Sequence, residues 1–379
     1  MRRSGLKQVD SIIAITLILK EIVSMRQIIH VHANQPPHWV GNGFYVKTLM
    51  NHLENRADFN YSHTDPFLLL DYGEPTTFAP NPNYDSQPQG MGQHPHKGFE
   101  TVTIAYQGEI SHADSAGGHG EILEGDVQWM TAGRGILHEE FHSQAFGQYG
   151  GVFSMVQMWI NLPKKHKLTD AKYQSIKRAD MPVVKLYDES YENTSHDQDS
   201  ITRLNALGTA TIIAGECRGI IGIASTFSPV NVWDIELTTA GTTTLEIPNT
   251  HNLMILVQQG SPLINDSLVS AGSLVQFSPA RLNVLDASDA SDALVTLEIE
   301  STHTATDHIM LTYPTASDSE ETQSPNDAPI QSSNDAPIKI LLLSGEPIGE
   351  PIASYGPFVM NTQEELKQTF REYQTGRFG

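Results

Sequence analysis

The feature that most limits the fold is a series of short apolar runs, broken at regular intervals by glycine, proline, asparagine and aspartate. Between about Ile28 and Ile160 these runs include residues 67–72, 101–106 and 156–162. Runs of this length, bounded by turn-forming residues, indicate the strands of a sandwich or barrel. The 29 glycines and 21 prolines favour the same turn-rich structure over long helices. The sequence therefore predicts an all-β protein.

The 379 residues exceed one typical domain, and the composition divides them into segments. A charged and polar stretch separates two strand-rich blocks, and a polar tract in which NDAPI occurs twice follows the second block. Such a tract buries too little surface to become ordered. The expected organisation is an N-terminal extension at 1–24, a first β domain at 25–162, a linker at 163–204, a second β domain at 205–313, a disordered insertion at 314–337, and a last strand with a short helix at 338–379.

One helix is predicted, close to the C-terminus. Thr362 and Glu365 have the spacing of a capping box. Leu366, Phe370 and Tyr373 then form a single apolar stripe on one helix face. We expect this stripe to dock the tail on a β domain.

Charge and cysteine content narrow the functional classes. The formal net charge is −21 and the sequence pI is about 5.0, so we expect no direct nucleic-acid binding, although a basic protein partner is compatible. Cys217 is the only cysteine, which fits a reducing, cytoplasmic location. The apolar run at 12–19 is too short to cross a bilayer, and Met25 is an alternative start. We expect a monomer without membrane association.

Two short motifs carry candidate metal ligands. Side chains two apart on a strand share a face, so His94 and His96 are expected to point the same way. By the same rule His138 and Glu140 share a face, whereas Glu139 points to the opposite one. A lone H-x-H is common by chance among 16 histidines, but an H-x-H combined with an H-x-E is less so.

Three imidazoles and one carboxylate suit a single divalent transition metal. Fe(II) fits this donor set, and Ni, Mn, Co, Cu or Zn are alternatives. Structural zinc sites instead favour cysteine-containing donor sets. An octahedral ion with four protein ligands has two further positions for substrate or dioxygen. His142 would share the face of His138 if that strand runs straight.

These motifs resemble those of the pirin family, which belongs to the cupin superfamily. Residues 94–102, HPHKGFETV, are similar to the first pirin motif, and residues 125–138, GDVQWMTAGRGILH, to the second. The C-terminal segments 344–347, SGEP, and 356–362, GPFVMNT, are similar to the end of the family's sequences. The resemblance covers most of residues 25–379, apart from the polar tract.

The resemblance implies a bicupin, in which two β-barrels of related topology are present and only the first binds metal. The ligand positions that match the family are His94, His96, His138 and Glu140. Many cupins take their carboxylate from the first motif, so Glu100 competes with Glu140. The second domain has no H-x-H, and we expect its His251 to be a surface or hydrogen-bonded residue.

Other residues near the motifs are expected to have structural roles. His112 and His119 lie in a Gly/Ser/Asp-rich segment, where we expect them to stabilise a loop or support the ligands. Trp129 and Trp159 are expected in the core. Arg134 is expected to form a salt bridge, with binding of an anionic substrate as the alternative.

Two classes of function follow from the resemblance. Several pirins are flavonol (quercetin) 2,3-dioxygenases, which implies an enzyme that opens the flavonol ring with dioxygen and releases carbon monoxide. Glu140 would then be the catalytic base for the 3-hydroxyl proton, with Glu100 as its competitor. Other pirins are iron-dependent redox-responsive regulators, so a non-enzymatic binding protein is the alternative. A different small substrate is also compatible, because a fold does not determine one chemistry.

Overall fold

The computed structural model describes residues 24–54, 56–189, 205–280, 306–315 and 336–378. The all-β prediction is confirmed, since strands dominate these residues. The strands of the first half are β1 (Ile28–His32), β2 (His38–Val40), β3 (Phe44–Asn51), β4 (Phe67–Phe78), β5 (Gly90–His96), β6 (Phe99–Gln107), β7 (Ile110–Asp114), β8 (His119–Ile122), β9 (Val127–Thr131), β10 (Ile136–His142), β11 (Gly151–Asn161), β12 (Lys172–Ile176) and β13 (Val183–Tyr187). The strands of the second half are β14 (Ala206–Ala214), β15 (Glu216–Cys217), β16 (Ile220–Ile221), β17 (Val230–Leu237), β18 (Gly241–Pro248), β19 (Asn252–Gln259), β20 (Leu263–Ile264), β21 (Ser267–Leu268), β22 (Ser273–Phe277), β23 (Thr306–Tyr313), β24 (Ile338–Gly345), β25 (Ala353–Tyr355) and β26 (Phe358–Met360).

Two expected segments lie largely outside the described residues. The extension at 1–24 is described only at Ser24, and the insertion at 314–337 only at its two ends. The predictions for both segments therefore stay predictions.

Each half of the fold is a sandwich of one large and one small antiparallel sheet. In the first sandwich the large sheet has the order β12-β9-β6-β11-β4-β3-β2, and the small sheet has the order β5-β10-β7-β8. In the second sandwich the orders are β1-β22-β19-β24-β17-β14-β13 and β18-β23-β20-β21. Two sandwiches of matching layout are the arrangement expected of two cupin domains. Their ladders form separate sheets in each sandwich rather than one closed barrel.

The two large sheets pack face to face through a shared apolar core. Val102 and Ile104 on β6 contribute to this core from the first sandwich, as Val232 and Leu343 do from the second. Ala105, the next residue on β6, instead belongs to the apolar cluster inside the first sandwich. The central strands of the first large sheet are therefore buried on both faces, which explains their nearly continuous apolar sequence.

Strand β1 and the segment expected to be a linker do not follow the predicted domain boundaries. Strand β1 pairs with β22 of the second sandwich, although we expected residues 25–162 to form the first domain. The segment 163–204, expected to be a linker, instead contributes β12 to the first large sheet and β13 to the second. Both are edge strands with one largely exposed face, so their polar composition concealed them.

The described helices are short, namely α1 (Tyr61–Thr64), α2 (Gln144–Tyr149) and α3 (Gln363–Gln374). The predicted capping box of α3 is confirmed, because Thr362 Oγ1 accepts a hydrogen bond from Glu365 N while Glu365 Oε2 accepts one from Thr362 N. Phe370 packs on Phe358 with ring centroids 5.2 Å apart, so the apolar stripe docks on the β25–β26 hairpin. Among the described residues, no helix has the length and apolar character needed to cross a membrane.

A buried ion pair joins the residues before β1 to the second sandwich. Arg26 Nε lies 2.9 Å from Asp307 Oδ2, and both side chains are 1% exposed. The guanidinium also donates hydrogen bonds to four main-chain carbonyl oxygens. The start of the described chain is thus fixed to the second sandwich by charge as well as by strand pairing.

We expect Arg26→Met to lower the free energy of unfolding by about 3–5 kcal/mol, because it leaves the Asp307 carboxylate buried without its counter-charge. The double variant Arg26→Met/Asp307→Leu should lose less, since neither charge remains. Equilibrium denaturant unfolding followed by circular dichroism measures both. A double variant less stable than the single one would contradict this account.

Candidate metal centre

Three histidines from two neighbouring strands of the small sheet converge inside the first sandwich. His138 on β10 lies directly opposite His94 on β5, and His96 lies two residues further along β5. The ring centroids are 4.3 Å apart for His94–His138, 4.7 Å for His96–His138 and 4.8 Å for His94–His96. One potential ligand atom from each histidine lies within 4.8 Å of the other two. The strand period places His94 and His96 on one face, and the β5–β10 pairing brings His138 to them.

Strand β10 alternates between the sandwich interior and its outer face. His138, Glu140 and His142 are buried, whereas Glu139 and Phe141 are partly exposed. Glu140 therefore shares the buried face with His138, and Glu139 does not. A ligand oxygen of Glu140 lies within 4.8 Å of the ligand atom of His138. The alternation expected from the sequence is present at this strand.

Two neutral donors hold the Glu140 carboxylate. Thr103 Oγ1 on β6 donates a hydrogen bond to Glu140 Oε1 at 3.3 Å, and Gln157 Nε2 on β11 donates to Glu140 Oε2 at 3.0 Å. Each carboxylate oxygen retains a lone pair after accepting these bonds. Partners of this kind orient a ligating carboxylate toward its metal.

Glu100, the competing carboxylate, points away from the histidines. It lies on the β6 face that also carries Val102 and Ile104, which contribute to the shared core between the sandwiches. Thr131 Oγ1 donates a hydrogen bond to Glu100 Oε1 at 2.8 Å. Burial raises the pKa of Glu100 to about 7. Glu100 joins neither group of potential ligands, so the geometry favours Glu140.

His142 continues the buried face of β10 but contacts other residues. Its Nε2 donates a hydrogen bond to the Gly43 carbonyl oxygen at 2.8 Å. Its ring lies 4.9 Å from Phe78 and 4.8 Å from Phe153, within an aromatic cluster. Burial lowers the pKa of His142 to about 4, so the imidazole is neutral in this apolar surrounding. This histidine packs in the core of the first sandwich, apart from the ligand group.

His112 was expected to stabilise a loop or support the ligands, but it offers a potential ligand atom itself. It lies on strand β7 rather than in a loop, directly opposite Glu140 on β10. Its Nε2 donates a hydrogen bond to Asp114 Oδ2 at 3.1 Å, and its Nδ1 is buried without a partner. His112, His138 and Glu140 form a second group of ligand atoms within 4.8 Å of one another. The two groups share His138. Ile110 and His112 are two positions apart, and this spacing was the sequence signal that could have indicated a strand at this position.

The chemistry of the cluster fits a metal ion. Both ring nitrogens of His96 and of His138 are buried without a hydrogen-bond partner. Burial also lowers the pKa of each ring well below its ordinary value, which keeps both imidazoles in the neutral form that binds metals. A buried polar atom without a partner costs about 1–3 kcal/mol, and a bound metal removes that cost. His94 Nδ1 donates to the Gly92 carbonyl oxygen at 2.9 Å, which orients its ring.

A buried lysine supports the turn that follows His96. Lys167 Nζ donates hydrogen bonds to the Gly98 carbonyl oxygen at 2.8 Å, to Asn161 Oδ1 at 2.5 Å and to the Val359 carbonyl oxygen at 2.8 Å. Burial lowers the pKa of Lys167 to about 7. Gly98 has a φ of +88°, and a Cβ there would collide with the Val359 carbonyl oxygen. The segment expected to be a linker thus contributes directly to this support.

The C-terminal tail holds the same turn from the other side. Lys97 N donates to the Pro357 carbonyl oxygen at 3.1 Å, and Val359 N donates to the Lys97 carbonyl oxygen at 3.0 Å. Lys97 Nζ also pairs with Glu372 Oε2 of α3 at 2.5 Å. Residues from the middle of the chain and from its C-terminal tail therefore contribute to the surroundings of His96.

Trp159 lies beside the site, whereas we expected it in the core. Its ring centroid is 5.3 Å from that of His96 and 4.5 Å from that of Phe99, on which it stacks. Trp159 is partly exposed, and it lies on the β11 face that also carries Gln157, toward the interior of the first sandwich. Trp129 is fully buried in the shared core, as expected.

The remaining sequence candidates lie away from the histidines. His119 is exposed. Arg134 forms the expected salt bridge, and its partner is Asp170. His251 Nδ1 is hydrogen-bonded with Ser344 Oγ at 3.2 Å in the second sandwich, in agreement with its expected role.

Comparisons with known proteins match most of the chain. The pirin family model matches residues 48–160, and the model of the pirin C-terminal cupin domain matches residues 296–379. A Pseudomonas aeruginosa protein provisionally named quercetin 2,3-dioxygenase is 37% identical over 358 residues, which are 93% of this chain and 99% of that protein. A pirin-like protein of Solanum lycopersicum is 31% identical and covers 83% of this chain and 82% of its own length. The crystal structure of a quercetin 2,3-dioxygenase from Acinetobacter baumannii is 36% identical, with a TM-score of 0.70 over 94% of this chain and 99% of that one.

We expect His96→Ala to weaken the binding of a divalent transition metal by at least about tenfold, because it removes one donor from the cluster. His251→Ala is the matched control, since that buried histidine has a hydrogen-bonded role in the second sandwich. Metal content after dialysis, measured by mass spectrometry, reports both. Full metal occupancy in the His96→Ala variant would show that the metal binds elsewhere in the protein.

We expect Glu140→Gln to weaken metal binding, whereas Glu100→Gln should retain wild-type affinity. The reason is that Glu100 lies on the face of the large sheet that packs on the second sandwich, whereas Glu140 lies inside the first sandwich with a ligand oxygen close to His138. Competition with a chromophoric chelator gives both affinities. The reverse order of the two effects would assign the ligand to Glu100.

Proposed function

Because this chain belongs to the pirin family, we propose that it is a metal-dependent flavonol 2,3-dioxygenase with one Fe(II) held by four residues. These ligands are His94, His96, His138 and Glu140. The observation that carries the proposal is the convergence of three imidazoles, of which His96 and His138 have both ring nitrogens buried without partners. Relatives named as quercetin 2,3-dioxygenases support the choice of reaction, since their similarity extends over nearly the whole chain.

The bound metal would supply Lewis acidity toward a flavonol oxygen and a path for electrons to dioxygen. Glu140 is the base that accepts the proton of the flavonol 3-hydroxyl. Its carboxylate is suited to this role because Thr103 and Gln157 fix its orientation through neutral donors and leave lone pairs for the substrate.

One wall of the site is formed by Trp159, which is partly exposed beside His96. The buried ring of Phe99 stacks behind it. Such a surface favours a planar aromatic substrate and excludes water from the reacting ring. A flavonol has a flat ring system that can pack on the aromatic wall, and it has oxygens that can meet the metal and the Glu140 carboxylate.

The second sandwich has a structural role in the proposal. Within its described residues, no group of three or more His, Cys, Asp or Glu side chains has ligand atoms as close as those of the first sandwich. Its large sheet instead covers the outer face of the first large sheet through the shared core. One metal per chain is therefore part of the proposal.

We expect the Fe(II) form to bind quercetin without oxygen and to consume it, with loss of the flavonol absorbance and release of carbon monoxide, when air is admitted. Glu140→Gln should lower kcat by about 10²–10⁴-fold, the usual contribution of a general base. His251→Ala should retain the wild-type rate. If the Fe(II), Ni(II) and Mn(II) forms all leave quercetin intact in air, the dioxygenase proposal fails.

A further inference from the structure

We propose that Gln128 determines substrate specificity by hydrogen bonding to the flavonol 5-oxygen. This oxygen lies on the same edge of the fused rings as the 3-oxygen that would bind the metal. This inference rests on the proposed function. It concerns a residue outside the candidate ligands, on the central part of strand β9.

Gln128 belongs to a polar row that crosses four strands of the large sheet. It is the cross-strand partner of Thr103 on β6, and Thr103 is in turn the partner of Gln157 on β11. On its other side Gln128 is paired with Ser175 on β12. Thr103 and Gln157 both hold the carboxylate of Glu140, so the row begins at the metal centre.

The direction of the Gln128 side chain follows from its neighbours. Val127 and Trp129 belong to the shared core between the sandwiches. Because neighbouring residues of a strand point to opposite faces, Gln128 projects into the first sandwich. Thr103 projects the same way, since its hydroxyl reaches Glu140.

The amide of Gln128 is buried without a protein partner. The residue is 1% exposed, and neither Nε2 nor Oε1 has a hydrogen-bond partner among the described residues. The amide of Gln157 in the same row donates to Glu140 and Thr103. Buried amides are almost always hydrogen-bonded, so Gln128 requires an ordered water or a ligand atom.

The chemistry of a flavonol provides that atom. Its 3-hydroxyl, 4-keto and 5-hydroxyl oxygens follow one edge of the fused rings. Adjacent strands lie about 4.8 Å apart, so Gln128 is one strand spacing beyond Thr103 along the row. With the 3-oxygen at the metal and beside Glu140, this edge of the flavonol extends along the polar row from Thr103 toward Gln128. The amide N–H groups of Gln128 then donate to the 5-oxygen, whose own hydrogen is shared with the 4-keto group.

Quercetin and fisetin test the proposal, because fisetin is quercetin without the 5-hydroxyl. The wild-type protein should favour quercetin over fisetin in kcat/KM by about tenfold, the effect of one hydrogen bond of about 1.4 kcal/mol. Gln128→Leu and Gln128→Met should bring this ratio close to one, through a larger loss of kcat/KM for quercetin than for fisetin and with metal content unchanged. The matched control is Gln174→Leu on β12, because the Gln174 amide bonds to Ser225 outside the sandwich interior.

Anaerobic binding separates failure of this proposal from failure of the dioxygenase assignment. Kd values for both flavonols with the Fe(II) form are measured by fluorescence quenching. If wild-type protein does not turn over quercetin, the dioxygenase assignment fails. A Kd ratio that favours quercetin and collapses in the Gln128 variants would still support recognition of the 5-oxygen. Equal ratios in wild type and variants, or loss of metal from both variants, would overturn the role of Gln128.

Discussion

The face-to-face packing of the two large sheets is the contact on which the candidate metal centre depends. It covers one face of β6, β9 and β11 with apolar side chains and leaves the opposite face for the interior of the first sandwich. Since a strand offers only two faces, each residue of these strands points either to the shared core or to the interior of the first sandwich. Thr103 and Gln128 are directed to the site by this division, while Glu100 is directed to the core. The second sandwich thus influences the site without contributing a ligand to the proposed set.

Local patterns in the sequence predicted the parts of the structure that depend on one element. The choice of Glu140 over Glu139 required only the period of two along β10. The capping box at Thr362 required only the spacing of two residues at the start of α3. The convergence of His94 and His138 depends on the pairing of β5 with β10, which no local pattern predicts, although the resemblance to a known family implied that both residues are ligands.

The sequence could not predict features that depend on which strands meet. The placement of Glu100 follows from coverage of the large sheet by the second sandwich, and no local pattern encodes it. His112 comes next to Glu140 through the β7–β10 pairing, although the surrounding glycines and serines suggested a loop. The expected linker contains two edge strands and the buried Lys167. These strands were not predicted because polar residues masked their short alternation.

The contacts between the C-terminal tail and the turn after His96 have a consequence for protein synthesis. Lys97 and Glu372 are 275 positions apart in the chain, so a ribosome releases the first sandwich long before the residues that hold this turn. Until residues 357–372 emerge, Lys97 lacks the Pro357 carbonyl, the Val359 amide and the Glu372 carboxylate that hold it in the finished fold. In a nascent chain the turn after His96 therefore lacks part of its support, and the finished turn is a product of the whole polypeptide rather than of its first domain.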